Sequence, residues 1–141
     1  MIEIDVTRRI AASPQAVWDV YTDQEGWTQW AGVGTITLQK AGDTEKNGVG
    51  AVRAIKAIGP AIVERVTRAD APERFDYTLI AGAPVKNHAG SVTFTPDGDG
   101  TLVHWSIRFD AAVFGIGWIL KLVLNAALKR ILSRLDAKVA G

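Results

Sequence analysis

The chain has 141 residues, of which 48% are hydrophobic and 22% are charged, and its formal net charge is +1. This length and balance are typical of one globular domain, which we expect to span the whole chain, 1–141. The near-neutral charge argues against general nucleic-acid binding, which usually needs a clear basic excess. Without cysteine, disulfides, thiolate catalysis and cysteine-based zinc sites are excluded, and a reducing cytoplasmic location is favoured.

A metal site and a transmembrane segment are also disfavoured. Two histidines are too few for a histidine-rich metal site, so we expect neither a metal nor another cofactor. The first ten residues alternate between apolar and polar types and lack the apolar stretch of a signal peptide. The longest apolar run, Ala111–Leu120, is about half of the roughly 20 residues that a bilayer span needs, so we expect no transmembrane segment.

The chain begins with a strand and a short helix. Residues 1–10 place apolar side chains on one parity, which predicts a half-buried strand. Arg8 shares the inward parity and therefore needs an interior partner or a bulge. Ser13 and Pro14 predict the start of a helix, with Ser13 as its amino-terminal cap and Pro14 at its first position.

A second short helix or turn, within residues 23–30, carries Trp27 and Trp30 one turn apart. The favoured interpretation is core packing, because aromatic side chains carry a large apolar area. The alternative is that the two rings form a wall against which a flat ligand stacks.

Six further strands follow, at 35–40, 49–57, 61–68, 74–81, 88–95 and 101–110. Residues typical of turns separate them, most clearly in the sequence Asp97-Gly98-Asp99-Gly100. All of these connections are short enough for hairpins, so we expect a mostly antiparallel sheet.

One long amphipathic helix, from about Gly115 to Val139, closes the chain. Its predicted apolar stripe consists of Ile116, Ile119, Leu120, Val123, Ala127, Ile131 and Leu135. Trp118 and Leu122 lie toward the polar side, so the first half of the helix is apolar nearly all round. One helix cannot cover a curved sheet completely, which predicts a cavity between them for a small apolar molecule.

Several short motifs occur in a specific order along this arrangement. They are Ile10–Pro14 with Val17-Trp18, Asp23 and Trp27, Val49-Gly50 with Arg53, Glu64–Val66 before Pro72, Gly90–Val92, and Trp105–Phe109. The chain thereby resembles the START-like (SRPBCC) superfamily of polyketide cyclase/dehydrase and lipid transport proteins, which includes the Bet v 1-like proteins.

The resemblance implies an α+β helix-grip fold, in which a curved antiparallel sheet of about seven strands wraps around the long C-terminal helix. It also implies an elongated cavity between sheet and helix. Members of the superfamily bind lipids, hormones, polyketides or other apolar molecules, and only some are enzymes. The fold therefore does not select one function.

Strand parity identifies residues that face such a cavity. Trp105 and Phe109 share the inward face of the last strand, and Tyr77 points inward from the strand 74–81. His88 shares the parity of inward apolar residues, near the end of the cavity. Arg53 shares a face with Val49, Ala51 and Ile55.

An inward Arg53 needs a carboxylate, backbone carbonyls, water or a ligand, because burying an unpaired charge costs several kcal/mol. A structural pair, or a side chain that reaches the rim, is favoured over ligand binding. For His88, a hydrogen bond to the backbone is favoured over a role in binding or polarising a ligand carbonyl. Glu64 partners Arg53 if Ile62 and Val66 point inward; otherwise Arg65 takes the inward position.

Two uses of the cavity remain open. Binding or transport of a small hydrophobic, lipid- or polyketide-like molecule is slightly favoured, because no catalytic motif is evident and no catalytic residue is assigned. The alternative is a polyketide cyclase, aromatase or dehydratase. This chemistry needs an arginine or histidine to polarise a carbonyl and a shaped pocket to fold the substrate, which Arg53, Glu64, Tyr77 and His88 could provide. Separately, Trp118 and Leu122 are candidates for a homodimer contact or a membrane-surface contact.

Overall fold

The computed structural model describes residues 1–141 and contains one seven-stranded sheet and three helices. The strands are β1 (Ile2–Ile10), β2 (Thr35–Lys40), β3 (Val52–Lys56), β4 (Ile62–Asp70), β5 (Arg74–Ala81), β6 (Val85–Asp97) and β7 (Gly100–Ala111). The helices are α1 (Pro14–Thr22), α2 (Trp27–Trp30) and α3 (Gly117–Ala140). The strand order is β1-β7-β6-β5-β4-β3-β2, and every neighbouring pair is antiparallel. The predicted α+β fold, with a curved antiparallel sheet and a long C-terminal helix, is confirmed.

The start of α1 forms as its sequence predicts. The Ser13 hydroxyl accepts a hydrogen bond from the Ala16 N–H at 3.2 Å, and Pro14 is the first helical residue. This bond satisfies one of the donors that a helix start leaves without a partner. α1 therefore begins at a fixed point directly after β1.

The strand boundaries differ from the predictions at two places. β3 begins at Val52 rather than at residue 49, because the preceding loop contains Gly50 with φ of +89°. Val49 lies in that loop and is 44% exposed, so its predicted inward position is wrong. β6 begins at Val85, directly after Pro84, although residues up to Asn87 are predicted as loop.

Arg8 has the partner that its parity requires. Its Nε donates a hydrogen bond to Asp136 Oδ2 on α3 at 2.9 Å, and both side chains remain partly exposed. Asp136 therefore lies against β1. The pair joins the first strand to the last helix at the rim of the core.

The buried stripe of α3 is rotated relative to the predicted one. Its members are Leu128, Ile131, Leu132 and Leu135, with Leu120, Leu124 and Val139 packed against the core at partial burial. Ile119 and Val123 are 44% and 60% exposed, so their predicted core positions are wrong. The first half of α3 is apolar nearly all round, so tertiary packing determines which side is buried. α3 as a whole packs chiefly on β1 and α1. No helix is both long and apolar enough to cross a membrane.

An aromatic cluster fills the core beneath α1. Tyr21 lies at its centre, with ring centroids 5.2 Å from Trp27, 5.3 Å from Phe75, 5.5 Å from Phe94 and 5.7 Å from Trp105, all edge-to-face. This arrangement is the preferred geometry for aromatic pairs. The cluster closes one end of the space between sheet and helices.

Gly90 allows the ring of Tyr77 to lie directly on the sheet. The two residues are paired across β5 and β6, and a Cβ at residue 90 would lie 2.4 Å from Tyr77 Cζ. No side chain fits this space, so glycine is required by close approach rather than by a turn. The position of Tyr77 on the inner face therefore depends on Gly90.

We expect Gly90→Ala to lower the free energy of unfolding by about 1–3 kcal/mol, because the added methyl group overpacks the sheet against Tyr77. Urea unfolding measures the change. In a Tyr77→Ala background the same substitution should cost close to nothing, since the clashing ring is gone. An equal cost in both backgrounds would show that the ring contact is not the cause.

Candidate functional site

One row of inner-face residues crosses the whole sheet. Cross-strand pairing aligns Ile2 with Phe109, Glu64 with both Arg53 and Leu79, and Arg53 with Leu38. The Leu79 N–H donates to His88 Nδ1 and brings His88 into the row. In strand order the row reads Ile2, Phe109, His88, Leu79, Glu64, Arg53, Leu38. Its polar members are thus bordered by apolar side chains.

Arg53 and Glu64 form a buried ion pair. Arg53 Nε and Nη2 both donate to Glu64 Oε1, at 3.1 Å and 2.9 Å. The side chains are 3% and 12% exposed. The expected partnership is confirmed in geometry, and Arg65, the alternative inward residue, is exposed. Water screens such a pair little, and neither charge is tolerable at this depth without the other.

The guanidinium of Arg53 also lies over two aromatic rings, with Cζ 5.2 Å from the centroids of both Phe75 and Tyr77. Cation–π contacts at this distance are attractive and add to the ion pair. Nη1 of Arg53 is nevertheless buried without a hydrogen-bond partner, and so is the hydroxyl of Tyr21. Buried donors are nearly always satisfied, so these two atoms mark where a further acceptor fits.

The phenols of Tyr77 and Tyr21 are held neutral. Burial, the largest cause, raises the pKa of both hydroxyls well above the ordinary range, and the charge of Glu64 acts in the same direction. The Tyr77 hydroxyl accepts a hydrogen bond from Trp105 Nε1 at 2.9 Å. Both tyrosines therefore act as neutral hydrogen-bonding groups, not as bases.

His88 is also neutral near physiological pH. Burial lowers its pKa, and the opposing effect of the Glu64 charge is smaller. Nδ1 accepts the hydrogen bond from the Leu79 N–H at 3.1 Å, so the ring proton is on Nε2. The ring lies 5.5 Å from that of Tyr77. The backbone bond matches the favoured structural interpretation and leaves Nε2–H as an available donor.

The predicted aromatic residues occupy different depths. Trp105 and Trp27 are 4% exposed and belong to the aromatic cluster, and Phe109 is fully buried. Trp30 is half-buried, with its ring centroid 5.3 Å from that of Trp27. The structure thus brings Arg53, Glu64, Tyr77 and His88 together, with Trp105 behind them and Trp30 at the periphery. Direct ligand contact by these residues stays a prediction.

Half-buried apolar residues lie within the row and on its side away from the aromatic cluster. They are Leu38, Ile55, Leu79, Val85, Leu120 and Leu124. α3 packs chiefly on β1 and α1, with smaller contacts to α2 and β7. The inner face of β2–β5 is therefore less completely covered than that of β1 and β7.

Tyr21 is the site residue that sequence reasoning missed. The helical pattern assigns it to the apolar face of α1, and it is indeed fully buried there. The available signal was its hydroxyl, because a tyrosine centred on an apolar face needs a partner for that group. Only the structure shows that the partner is lacking and that Arg53 lies close enough to influence the pKa of Tyr21.

Two distinct depressions lie outside this site. One, of about 430 Å³, is on the solvent face of the sheet and includes Arg74, Asp76, Ser91, Ser106 and Arg108. The other, of about 280 Å³, lies between α1 and the β2–β3 loop. Both are lined mostly by polar residues. An enclosed cavity between sheet and α3 stays a prediction.

Comparison with known proteins establishes the family. The model of the family described as polyketide cyclase / dehydrase and lipid transport matches residues 1–140. The chain therefore belongs to this family, as its motifs predict. A sequence search of functionally curated proteins finds no significant match.

Solved structures show the same fold at low sequence identity. A START superfamily protein from Mycobacterium smegmatis is 14% identical, with a TM-score of 0.83 and coverage of 98% of this chain and 97% of the other. A Thermobifida fusca protein is 23% identical, with a TM-score of 0.82 and coverage of 99% and 93%. Norcoclaurine synthase from Thalictrum flavum, solved with dopamine and hydroxybenzaldehyde, is 15% identical, with a TM-score of 0.77 and coverage of 99% and 86%.

We expect Glu64→Leu to lower the free energy of unfolding by about 3–5 kcal/mol, because Arg53 is left buried and unpaired. The double variant Arg53→Met/Glu64→Leu should regain most of this loss, since it removes both charges. Asp70→Asn is the matched control: it breaks the exposed Arg68–Asp70 pair and should cost less than about 1 kcal/mol. Equal losses from Glu64→Leu and Asp70→Asn in chemical unfolding would contradict the burial argument.

We expect His88 to reduce the free energy of unfolding as the pH is lowered into the acidic range. Because burial lowers its folded pKa, the unfolded chain takes up a proton first as pH falls below the ordinary value of about 6.5. The contribution of neutral His88 is thus complete above that value and is lost on acidification. Melting temperatures between about pH 8 and pH 5 should decline less steeply for His88→Gln than for the original chain. If the melting temperatures of His88→Gln and the original chain declined equally with pH, His88 would not be the cause of the pH dependence.

Proposed function

We propose that this protein binds a small, mostly apolar molecule, lipid- or polyketide-like, that carries at least one oxygen acceptor. The site is the inner face of β3–β6, beneath the first half of α3. Its polar end consists of Arg53, Glu64 and His88. Membership of the polyketide cyclase / dehydrase and lipid transport family supports a ligand-binding role. A cytoplasmic location and a single-domain organisation stay predictions.

The observation that carries this proposal is the unsatisfied Nη1 of Arg53. The side chain is 3% exposed, and Glu64 accepts hydrogen bonds from its other two nitrogens, Nε and Nη2, through a single oxygen. A charged donor without an acceptor is costly at this depth. A carbonyl or carboxylate oxygen of a ligand would satisfy it, and the neutral Tyr21 hydroxyl offers a second donor nearby.

The apolar part of the ligand is inferred from the residues around these donors. Phe75 and Tyr77 flank Arg53, and Leu38, Leu79 and Leu124 are half-buried along the same interior. Apolar contacts of this kind, with few polar groups to fix orientation, are typical of small-molecule sites. The norcoclaurine synthase structure, whose ligands are dopamine and hydroxybenzaldehyde, supports the idea that this fold accepts small aromatic molecules.

An enzymatic role of the cyclase or dehydratase type is the alternative. It is favoured by one feature, the neutral His88 with its proton on Nε2, which is suited to polarise a ligand carbonyl. The carboxylate of Glu64 retains one oxygen that does not bond Arg53 and would serve as a proton acceptor. Turnover of a linear poly-β-ketone analogue that is lost in His88→Gln would select this alternative over binding alone.

A matched pair of probes tests the binding proposal. We expect 2-naphthoate to bind about tenfold more tightly than the neutral 2-naphthylmethanol, because a charge-assisted hydrogen bond to Arg53 contributes about 1.5 kcal/mol or more. In Arg53→Met/Glu64→Leu this preference should vanish while the apolar contacts remain. Isothermal titration measures both affinities, and circular dichroism verifies that the double variant is folded.

Arg68→Met provides the control, because it removes an arginine that is exposed on a neighbouring strand. It should leave the preference for 2-naphthoate unchanged. The proposal is wrong if neither probe saturates the folded protein, or if the double variant keeps the full preference.

A further inference from the structure

Six of the eleven exposed large hydrophobic residues form a surface where β7 leads into α3. We name this surface the apolar tip; it consists of Val113, Phe114, Trp118, Ile119, Leu122 and Val123. Phe114 is fully exposed, next to Gly115 in the connecting loop, and Trp118 is 66% exposed. Single exposed apolar residues are normal, but a contiguous group with two aromatic side chains indicates a contact surface.

Helical geometry places the tip opposite the core. Trp118 and Leu122, and likewise Ile119 and Val123, are four residues apart and form two adjacent rows on α3. The buried residues of the helix, centred on Leu128 and Leu132, occupy the other side. The tip is therefore not an incompletely covered part of the core. It is a second apolar face that points away from the sheet.

Charge distinguishes among possible partners of this face. Residues 111–135 contain four basic residues and no acidic one. At 3.6 residues per turn, Lys129 and Arg130 fall on the same side of α3 as the tip, about two turns further along. Both of these side chains are exposed. The outer face of α3 thus changes from apolar and aromatic to basic along its length.

We propose that the apolar tip and these two basic residues dock on an anionic phospholipid surface. The aromatic and aliphatic side chains would enter the boundary between headgroups and acyl chains, while Lys129 and Arg130 contact the anionic headgroups. A second copy of the chain suits this face less well. A two-fold contact with the two helices parallel would bring basic residues of the two copies together, with no carboxylate in the segment to offset them.

Vesicle sedimentation tests this surface. We expect the protein to bind equimolar phosphatidylcholine–phosphatidylserine vesicles at least about tenfold more tightly than phosphatidylcholine vesicles, because each basic residue near the surface adds a favourable interaction. Higher ionic strength should reduce the difference. Trp118→Gln/Leu122→Gln should weaken binding to the mixed vesicles about tenfold or more through loss of the inserted apolar area. Lys129→Gln/Arg130→Gln should mainly abolish the preference for phosphatidylserine.

Ile58→Gln is the matched control, because Ile58 is a fully exposed aliphatic residue in the β3–β4 turn and lies outside the tip. It should bind vesicles as the original chain does. Absence of binding to the mixed vesicles would overturn the proposal. So would a concentration-dependent dimer that Trp118→Gln/Leu122→Gln dissociates while vesicle binding is absent. The ligand titrations use no vesicles, so the interior site and the docking surface succeed or fail separately.

Discussion

The buried pair of Arg53 and Glu64 constrains the rest of the interior. The two residues are directly opposite on β3 and β4, so the inner faces of both strands must stay in this register. A slip by one residue would send both side chains to the solvent face and bring exposed ones inward. A buried ion pair adds little net stability compared with apolar residues of similar volume. Stability alone therefore does not account for this pair, whereas the ligand-binding role proposed for Arg53 would.

The interior is asymmetric around that pair. Toward α1, the aromatic rings around Tyr21 are buried and packed edge-to-face. Toward the first half of α3, apolar side chains such as Leu79 and Leu124 are only half-buried. The polar row lies between these regions. A ligand that approaches from the less covered side would therefore meet Arg53 and His88 before it meets the aromatic cluster.

Sequence periodicity predicts most of the fold, because alternation in strands such as β7 reports directly on one buried face. It leaves the choice between Glu64 and Arg65 open, because apolar residues lie on both parities of β4, and only the structure places Glu64 inward. It fails where both sides of an element are apolar. Ile119 and Val123 satisfy the helical pattern as well as Leu124 and Leu128 do, and only tertiary packing decides between them. Sequence periodicity also cannot show that the Tyr21 hydroxyl has no hydrogen-bond partner, because that depends on which residues surround it in three dimensions.

The presence of apolar residues on both sides of the first half of α3 has a physical explanation. A helix that only covers a sheet needs one apolar stripe and a polar outer face. The first half of α3 has apolar residues on both sides: Leu120 and Leu124 face the interior, and Trp118 and Leu122 face outward. The second half has a single apolar side, with Leu128, Leu132 and Leu135 buried opposite basic residues. The change occurs within one continuous helix, so it reflects different surroundings along its length. An apolar environment outside the first half, such as a lipid surface, accounts for both faces at once, and it would place that surface next to the less covered side of the interior.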